Sequence, residues 1–189
     1  YEVAGVSDFG KTALFECHGT GTAAGDPIET EAIAAVFGDK GAYLGAIKPN
    51  LGHSEGASGL TAVLKATLSL EQRTIPPNIK YAPLNPDIPF ERAKLSIPEQ
   101  ATPWPAGRDE RVSINSFGVG GSNAHVIVES AASYFSSRKG IEVVPQKQPE
   151  DDRPQLMVFS AMTAQSLKQM EEKYQSLLEM TASVNLPDL

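Results

Sequence analysis

The sequence predicts an α/β fold in which strands and helices alternate around a parallel sheet. A short apolar strand over residues 11–18 precedes a helix that begins at Asp26, and a second strand over residues 43–47 precedes a helix over residues 53–72. This alternation is typical of parallel strands with helices packed against them. Residues 75–107 are rich in proline, which argues against a long helix there.

The first helix carries a strong start signal. Asp26 occupies an expected N-cap position, Pro27 the first helical position, and Glu29 is spaced to reach back to the cap. We therefore interpret Asp26 and Glu29 as helix caps rather than as catalytic acids. Gly38 is expected to end this helix.

The rest of the chain predicts a hairpin, a linker and the start of a second domain. Two strands over residues 111–116 and 124–129 flank a glycine-rich turn, which indicates an antiparallel hairpin. A polar, charged segment follows and is expected to be a linker, and after it come a strand over residues 156–160 and a helix capped by Thr163. The predicted domains are 1–131, a linker over 132–155, and an incomplete domain over 156–189.

The composition excludes several classes of protein. The net charge of −7 argues against nucleic acids or an anionic membrane as partners, since both need a basic face. The single cysteine, Cys17, excludes a disulfide framework and favours a reducing, cytoplasmic setting. No apolar run approaches the roughly 18 residues of a membrane span.

The segment ECHGTGT, residues 16–22, places Cys17 beside His18 at the end of the first strand. Neighbouring residues of a strand point to opposite faces, so these two side chains are a poor pair of nucleophile and base. Cys17 is therefore expected to pack as a small buried residue. His18 lies where a strand gives way to a glycine loop, which is where α/β folds place functional side chains.

His53 occupies the corresponding place after the second strand. Two parallel units of one sheet can therefore bring His18 and His53 into one cleft. Two histidines can also bind a metal, but no third ligand lies at helical or strand spacing, so zinc is not expected.

The segment SINSFGVGGSNAHVIVE, residues 113–129, is the third stretch with functional potential. Glycines at this density let backbone N–H groups face a developing negative charge. Taken by itself, a hairpin turn is the simpler interpretation. His125 lies in the following strand and is expected to be structural.

Taken together and in order, ECHGTGTAAGDPIE, GAIKPNLGHSEGASG and SINSFGVGGSNAHVIVE resemble the C-terminal half of the ketosynthase domain of type I polyketide synthases. The proline-rich IPPNIKYAPLNPDIPF and TPWP between them fit as well. The resemblance covers residues 1–131 and is strongest to the iterative, highly reducing synthases of filamentous fungi. Residues 156–189 resemble the start of the small α+β linker domain that joins ketosynthase to acyltransferase.

The resemblance implies the C-terminal half of a thiolase-like, layered α/β/α fold with a Cys-His-His site. His18 and His53 match the two catalytic histidines of the family. Its nucleophilic cysteine lies in the N-terminal half, in a short motif that ends Ala-Cys-Ser-Ser or similar, and this sequence contains no such motif. Cys17 is therefore not that nucleophile.

The remaining site residues are also implied only by the resemblance. Thr20 and Thr22 would contact a pantetheine arm, and the backbone N–H near Val119 would complete an oxyanion hole. Lys48 and Asn123 would support the site. Many relatives carry an aromatic residue where this chain has Val119, a change that keeps the backbone donor.

The implied reaction is the decarboxylative Claisen condensation of a malonyl thioester with an enzyme-bound acyl chain. The domain would bind no cofactor itself, because its substrates travel on the phosphopantetheine of an acyl carrier protein. Implied partners are the N-terminal half of the ketosynthase, the acyl carrier protein, the acyltransferase domain and a second copy of the parent in a homodimer. Neither nucleic acid nor membrane is expected.

Three hypotheses stay open at this point. The chain is part of a condensing enzyme and is inactive alone, or it is a non-catalytic docking remnant, or it is a cysteine hydrolase that uses Cys17. The missing nucleophile is the feature that bears on the choice between the first two, since this chain alone is not expected to condense anything. The third requires a reactive thiol.

Overall fold

The computed structural model describes residues 1–136 and 158–180, and it divides the chain into two compact units, Tyr1–Val144 and Pro145–Leu189. The strands of the first unit are β1 Thr12–Glu16, β2 Ala42–Gly45, β3 Thr74–Ile75, β4 Leu95–Ser96, β5 Thr102–Pro103, β6 Asp109–Phe117 and β7 Asn123–Glu129. Its α-helices are α1 Gly25–Phe37, α2 Lys48–Leu51, α3 Ser58–Glu71 and α4 Ala131–Ser136.

Five of these strands form one sheet in the order β4-β2-β1-β6-β7. The first four run parallel, with Leu14 of β1 opposite Tyr43 of β2 and Val112 of β6. Strand β7 pairs antiparallel with β6 and places His125 opposite Asn115. The parallel sheet and the hairpin predicted from the sequence are therefore confirmed.

Helices cover both faces of the sheet. Phe15 points to the α1 side, where it packs with Ile33 and Phe37. Leu14 points to the α3 side, where it packs with Ala62 and Ala66. This alternation along β1 follows from the two-residue period of a strand and confirms the α/β/α layering.

The proline-rich residues 75–107 contain no helix in the structure. Two-residue strands β3 and β5 pair antiparallel there as a small separate sheet, which agrees with the expectation from the prolines.

The predicted helix over residues 53–72 is wrong at its beginning. The continuous α-helix starts at Ser58, and it is preceded by α2 and by a 3₁₀ turn at Glu55–Ala57. Glu55 has a φ of 46°, in the left-handed region that a right-handed helix cannot include. His53 consequently lies in a non-helical link rather than inside a helix.

The predicted capping of α1 is also wrong. Ala24 is the N-cap residue, so Asp26 and Glu29 both lie within the helix. Their carboxylates bind backbone N–H groups of the preceding glycine loop instead, as described below. The end of α1 agrees with the prediction, since the Gly38 N–H donates to the Ala34 carbonyl.

The predicted linker and second domain are described only in part. Helix α4 shows that the linker residues 132–136 are helical, and the other linker residues lie outside the described ones. The strand predicted over residues 156–160 is not formed in its described residues, 158–160. The boundaries at residues 131 and 155 remain predictions.

The described part of the second unit is one helix, α5 Ala164–Met180, and the turn before it. The Thr163 hydroxyl accepts a hydrogen bond from the Ser166 N–H at 3.1 Å, which confirms the predicted cap. Among residues 1–136 and 158–180, no helix is long and apolar enough to cross a membrane.

Candidate active site

His18 and His53 meet at the edge of the sheet where the parallel strands β1 and β2 end. Their ring centres lie 5.5 Å apart, with the planes at 81°. Adjacent parallel strands bring their carboxyl ends to one edge, where α/β folds bind ligands. The two imidazoles are thus brought together at this edge, as the sequence predicts.

Each imidazole has a hydrogen-bond donor at Nδ1. The Phe117 N–H donates to Nδ1 of His18 at 3.3 Å, and the Lys48 ammonium nitrogen lies 3.3 Å from the same atom. The Glu55 N–H donates to Nδ1 of His53 at 3.0 Å. A backbone N–H can only donate, so in the neutral rings Nδ1 is the acceptor and the proton sits on Nε2.

The surroundings of His18 favour its neutral form. Burial, followed by the charge of Lys48, lowers the pKa of His18 below the ordinary value of 6.5. The pKa of His18 is lower in the folded chain than in the unfolded chain. The neutral ring therefore makes its full contribution to the free energy of unfolding above about pH 6.5. It is lost as the pH falls through the folded-state pKa.

Lys48 joins the two imidazole-bearing segments. Its ammonium donates to the His18 carbonyl as well as facing Nδ1, and burial lowers the pKa of Lys48. The predicted supporting role of Lys48 thus rests on direct contacts between its side chain and His18.

Replacing Lys48 with methionine should raise the pKa of His18. The methionine keeps the side chain's length and removes the nearby positive charge, whereas burial of His18 continues to lower the pKa. NMR titration of the His18 ring in the wild-type chain and in Lys48→Met would measure the shift. An unchanged or lowered pKa would contradict this electrostatic assignment, and His125 in the same spectra serves as an internal control.

Glu29 is the residue that sequence analysis most clearly misassigned. Its buried carboxylate accepts hydrogen bonds from the His18 N–H at 2.8 Å, the Gly19 N–H at 3.0 Å and the Asn115 side-chain amide at 2.9 Å. Asp26 accepts from the Gly21 N–H at 3.1 Å. A carboxylate buried on the sheet-facing side of α1 needs hydrogen-bond donors. That need is the signal by which the sequence could have identified the role of Glu29.

The loop between β1 and α1 depends on glycine at position 19. Gly19 has a φ of 49°, and a Cβ atom there would lie 2.7 Å from the Cβ of Ala46. Thr20 and Thr22 lie on the exposed part of this loop, with their hydroxyls 3.4 Å apart. The Thr22 hydroxyl also accepts from the Gly25 N–H at 3.0 Å.

Val119 and Asn123 belong to the turn end of the β6–β7 hairpin. Val119 is fully exposed, and Asn123 begins β7 opposite Phe117. Val119, Phe117 and His53 line one groove of about 630 Å³, whereas Thr22 and Cys17 line a separate cavity of about 370 Å³. Val119 therefore shares a groove with His53, and Thr22 lines the same cavity as the buried cysteine.

Cys17 is built to pack rather than to react. Its side chain is 7% exposed within the α1-side core, and its thiol faces the Phe15 carbonyl at 4.0 Å. Burial raises the pKa of the Cys17 thiol well above the usual range, and the charge of Glu29 raises it further. The burial expected for Cys17 is confirmed.

A buried ion pair lies beneath the imidazole cleft. The Lys65 ammonium contacts the Glu16 carboxylate at 2.6 Å, and both side chains are almost completely buried. A Cβ on Gly45 would lie 2.9 Å from the Lys65 nitrogen, so a larger residue at this strand end would displace the ion pair. In the described part of the chain, no three metal-ligating side chains cluster together.

Comparison with known proteins identifies the family. The profile described as beta-ketoacyl synthase, C-terminal domain, matches residues 2–82, and the ketoacyl-synthetase C-terminal extension matches residues 84–188. The highly reducing polyketide synthase sphB of Aspergillus fumigatus is 52% identical over 179 residues, which are 95% of this chain and 7% of that protein. The highly reducing polyketide synthase pspA of Penicillium soppii is 52% identical over 93% of this chain and 7% of its own length.

Solved structures agree with the sequence relatives. The ketosynthase from module 6 of the bacillaene synthase of Bacillus subtilis 168 is 30% identical with a TM-score of 0.67, covering 98% of this chain and 31% of that one. Ketosynthase twelve of the bacillaene synthase of Bacillus amyloliquefaciens is 34% identical with a TM-score of 0.63, covering 68% of this chain and 24% of that one.

The layered α/β/α fold and these neighbours define a thiolase-like protein. The chain belongs to the ketosynthase family of polyketide synthases, as its C-terminal ketosynthase domain with the associated C-terminal extension. It spans about 7% of the length of the curated relatives named above.

Proposed function

We propose that this chain is the C-terminal part of a ketosynthase that catalyses decarboxylative Claisen condensation of a malonyl thioester with an enzyme-bound acyl chain. The observation that carries the proposal is the pair of imidazoles, His18 and His53, each with a donor at Nδ1 and hence its proton on Nε2. Two N–H donors in one cleft suit an oxygen that gains negative charge during a reaction.

The first chemical step is the decarboxylation. The bond between the malonyl carboxylate and the α-carbon breaks, CO₂ leaves, and the electron pair moves onto the thioester oxygen as an enolate. Two Nε2–H groups aimed at that oxygen would stabilise the transition state by about 3 kcal/mol each. Neutral rings are required, because only they combine a donor at Nε2 with an acceptor at Nδ1.

The second step forms the new carbon–carbon bond. The enolate carbon attacks the acyl-cysteine carbonyl, the carbon–sulfur bond breaks, and the thiolate leaves. In this proposal the nucleophilic cysteine belongs to the N-terminal half, since Cys17 is buried in the α1-side core. In this proposal the backbone N–H near Val119 completes the oxyanion hole, and Thr20 and Thr22 contact the pantetheine arm, with Asn123 in support.

An exposed apolar face supports the presence of an N-terminal half. Leu60, Leu64 and Leu68 recur every four residues along α3 and are 68%, 63% and 58% exposed. A helix packed on a sheet by one face and lined with leucine on the other needs a second covering layer. The chain covers only 31% of the solved ketosynthase from module 6, which leaves most of a ketosynthase to provide that layer.

The other partners follow from the same proposal. The substrates arrive on the phosphopantetheine of an acyl carrier protein, and the extension leads to an acyltransferase domain. The parent synthase is a cytoplasmic homodimer, and the chain by itself is inactive because it lacks the nucleophile.

Mass spectrometry after incubation with an acyl-pantetheine thioester tests the proposal. We expect no acyl adduct on this chain alone. In the complete ketosynthase, which is this chain joined to its N-terminal half, we expect one adduct at a cysteine outside this chain. The complete ketosynthase should also release CO₂ from a malonyl thioester. Stoichiometric acylation of Cys17 would contradict the proposal, and a complete domain that neither acylates nor decarboxylates would indicate a docking remnant.

A further inference from the structure

The mechanism does not use a polar side-chain pair on the β6–β7 hairpin. Asn115 and His125 lie directly opposite each other on the two strands, and Nδ1 of His125 is 2.7 Å from the Asn115 carbonyl oxygen. Asn115 is buried, and its amide nitrogen donates to Glu29 at 2.9 Å. The pair therefore connects the hairpin to the carboxylate that holds the His18 loop.

The direction of each hydrogen bond is fixed by the group at the far end. The Glu29 carboxylate can only accept, so the amide nitrogen of Asn115 faces Glu29 and its carbonyl oxygen faces His125. That oxygen can only accept, so His125 donates through Nδ1–H. Nδ1 therefore carries a proton in His125, whereas it is the acceptor in His18 and His53.

At the other end of this series of hydrogen bonds, Glu29 contacts the segment that carries His18. Its two carboxylate oxygens accept from the N–H groups of His18 and Gly19, the peptide that sets where the His18 ring leaves the loop. At the ring of His18, Lys48 and the Phe117 N–H contact Nδ1. Glu29 thus holds the backbone N–H groups at His18, while Lys48 contacts both the ring and the carbonyl of His18.

We infer that His125 is a positioning residue, which acts through Asn115 and Glu29 to fix the backbone of His18 for decarboxylation. The inference rests on the proposed function of His18. The buried amide oxygen of Asn115 needs a donor while its nitrogen faces Glu29, and His125 supplies that donor. Without it, the buried amide oxygen loses its partner and the amide can rotate away from Glu29.

Two matched substitutions of His125 separate hydrogen bonding from packing. The His125 ring lies 6.0 Å from the rings of Tyr1 and Phe15. His125→Phe keeps an aromatic ring against these neighbours and removes the Nδ1 donor, whereas His125→Gln loses the ring and keeps a donor. Both are made in the complete ketosynthase, and decarboxylation of a malonyl thioester, acylation of the nucleophile and thermal unfolding are measured separately.

We expect His125→Phe to lower the decarboxylation rate by about 10-fold, the lower end of the range for losing a direct supporting partner, because two residues stand between His125 and His18. The acylation rate should stay within about twofold of wild type, because the nucleophile does not depend on this chain of bonds. His125→Gln should recover most of the decarboxylation rate. Unchanged decarboxylation in His125→Phe would overturn the inference, and so would a parallel fall of both half-reactions.

A second variant keeps the inference testable if His125→Phe does not fold. Asn115→Leu removes the residue that links His125 to Glu29, so its decarboxylation defect should match that of His125→Phe. The double variant should be no worse than either single one, since residues of one network are not additive. Additive defects would contradict a shared path to Glu29.

An NMR measurement distinguishes failure of this inference from failure of the proposed function. A wild-type ketosynthase without decarboxylase activity would refute the function and not the hydrogen-bond chain. In that case the backbone amide signals of His18 and Gly19 should still shift in His125→Phe and return in His125→Gln. If these signals do not respond to the donor at position 125, the inference is wrong.

Discussion

Replacing His18 or His53 with alanine in the complete ketosynthase should lower the rate of malonyl-thioester decarboxylation by about 100- to 1,000-fold, the usual effect of losing one oxyanion donor. Acylation of the nucleophilic cysteine should survive, because the imidazoles are proposed to stabilise the enolate. Replacing both should cost more than either alone, since each ring supplies its own Nε2–H. Release of CO₂ from the malonyl thioester measures the effect.

A surface variant provides the control for these substitutions. Arg92 contacts Glu31 at the exposed side of α1, away from the imidazoles, so Arg92→Ala should decarboxylate at the wild-type rate. His53→Gln, which retains a side-chain N–H, should lose less activity than His53→Ala. Wild-type decarboxylation in both alanine variants would remove the basis of the proposed mechanism.

Breaking the Glu16–Lys65 ion pair should destabilise the fold by about 3 to 5 kcal/mol, the usual cost of leaving one partner of a buried pair without its counter-charge. The Glu16 side chain is completely buried, and that of Lys65 is 9% exposed. Either Lys65→Met or Glu16→Gln removes one charge and maintains side-chain volume. Urea unfolding of the complete ketosynthase measures the change in the free energy of unfolding.

The double variant is the informative comparison. Glu16→Gln with Lys65→Met removes both charges, so it should be more stable than Lys65→Met, which leaves a buried carboxylate alone. The exposed Arg92–Glu31 pair is the control, and its loss should change stability little. Equal effects at the buried and exposed pairs would show that burial does not determine how much the Glu16–Lys65 contact contributes to the free energy of unfolding.

The parts of the fold that follow a simple period were predictable from the sequence. Cys17 is buried as expected, although β1 ends one residue before it, and the repeated order of strand and helix placed both histidines at one edge of the sheet. These predictions succeeded because they depend on strand geometry and on parallel pairing. They require no knowledge of which distant side chains meet.

The long-range polar contacts were not predictable in this way. Asp26 and Glu29 fit a capping pattern, yet both bind the glycine loop, because the loop folds back over the start of α1. His125 was expected to be structural, and no local pattern indicated that it contacts Asn115 across the hairpin. Local signals cannot show which donors tertiary packing brings to a buried carboxylate.

The most direct test is the protonation state of the two imidazoles. Nitrogen-15 NMR of the complete ketosynthase, at a pH above the His18 pKa, distinguishes a proton on Nε2 from one on Nδ1. We expect both His18 and His53 to carry the proton on Nε2, because backbone N–H groups donate to Nδ1 of each ring. A proton on Nδ1 of either ring would contradict the account, since that ring could not supply an Nε2–H to the enolate oxygen.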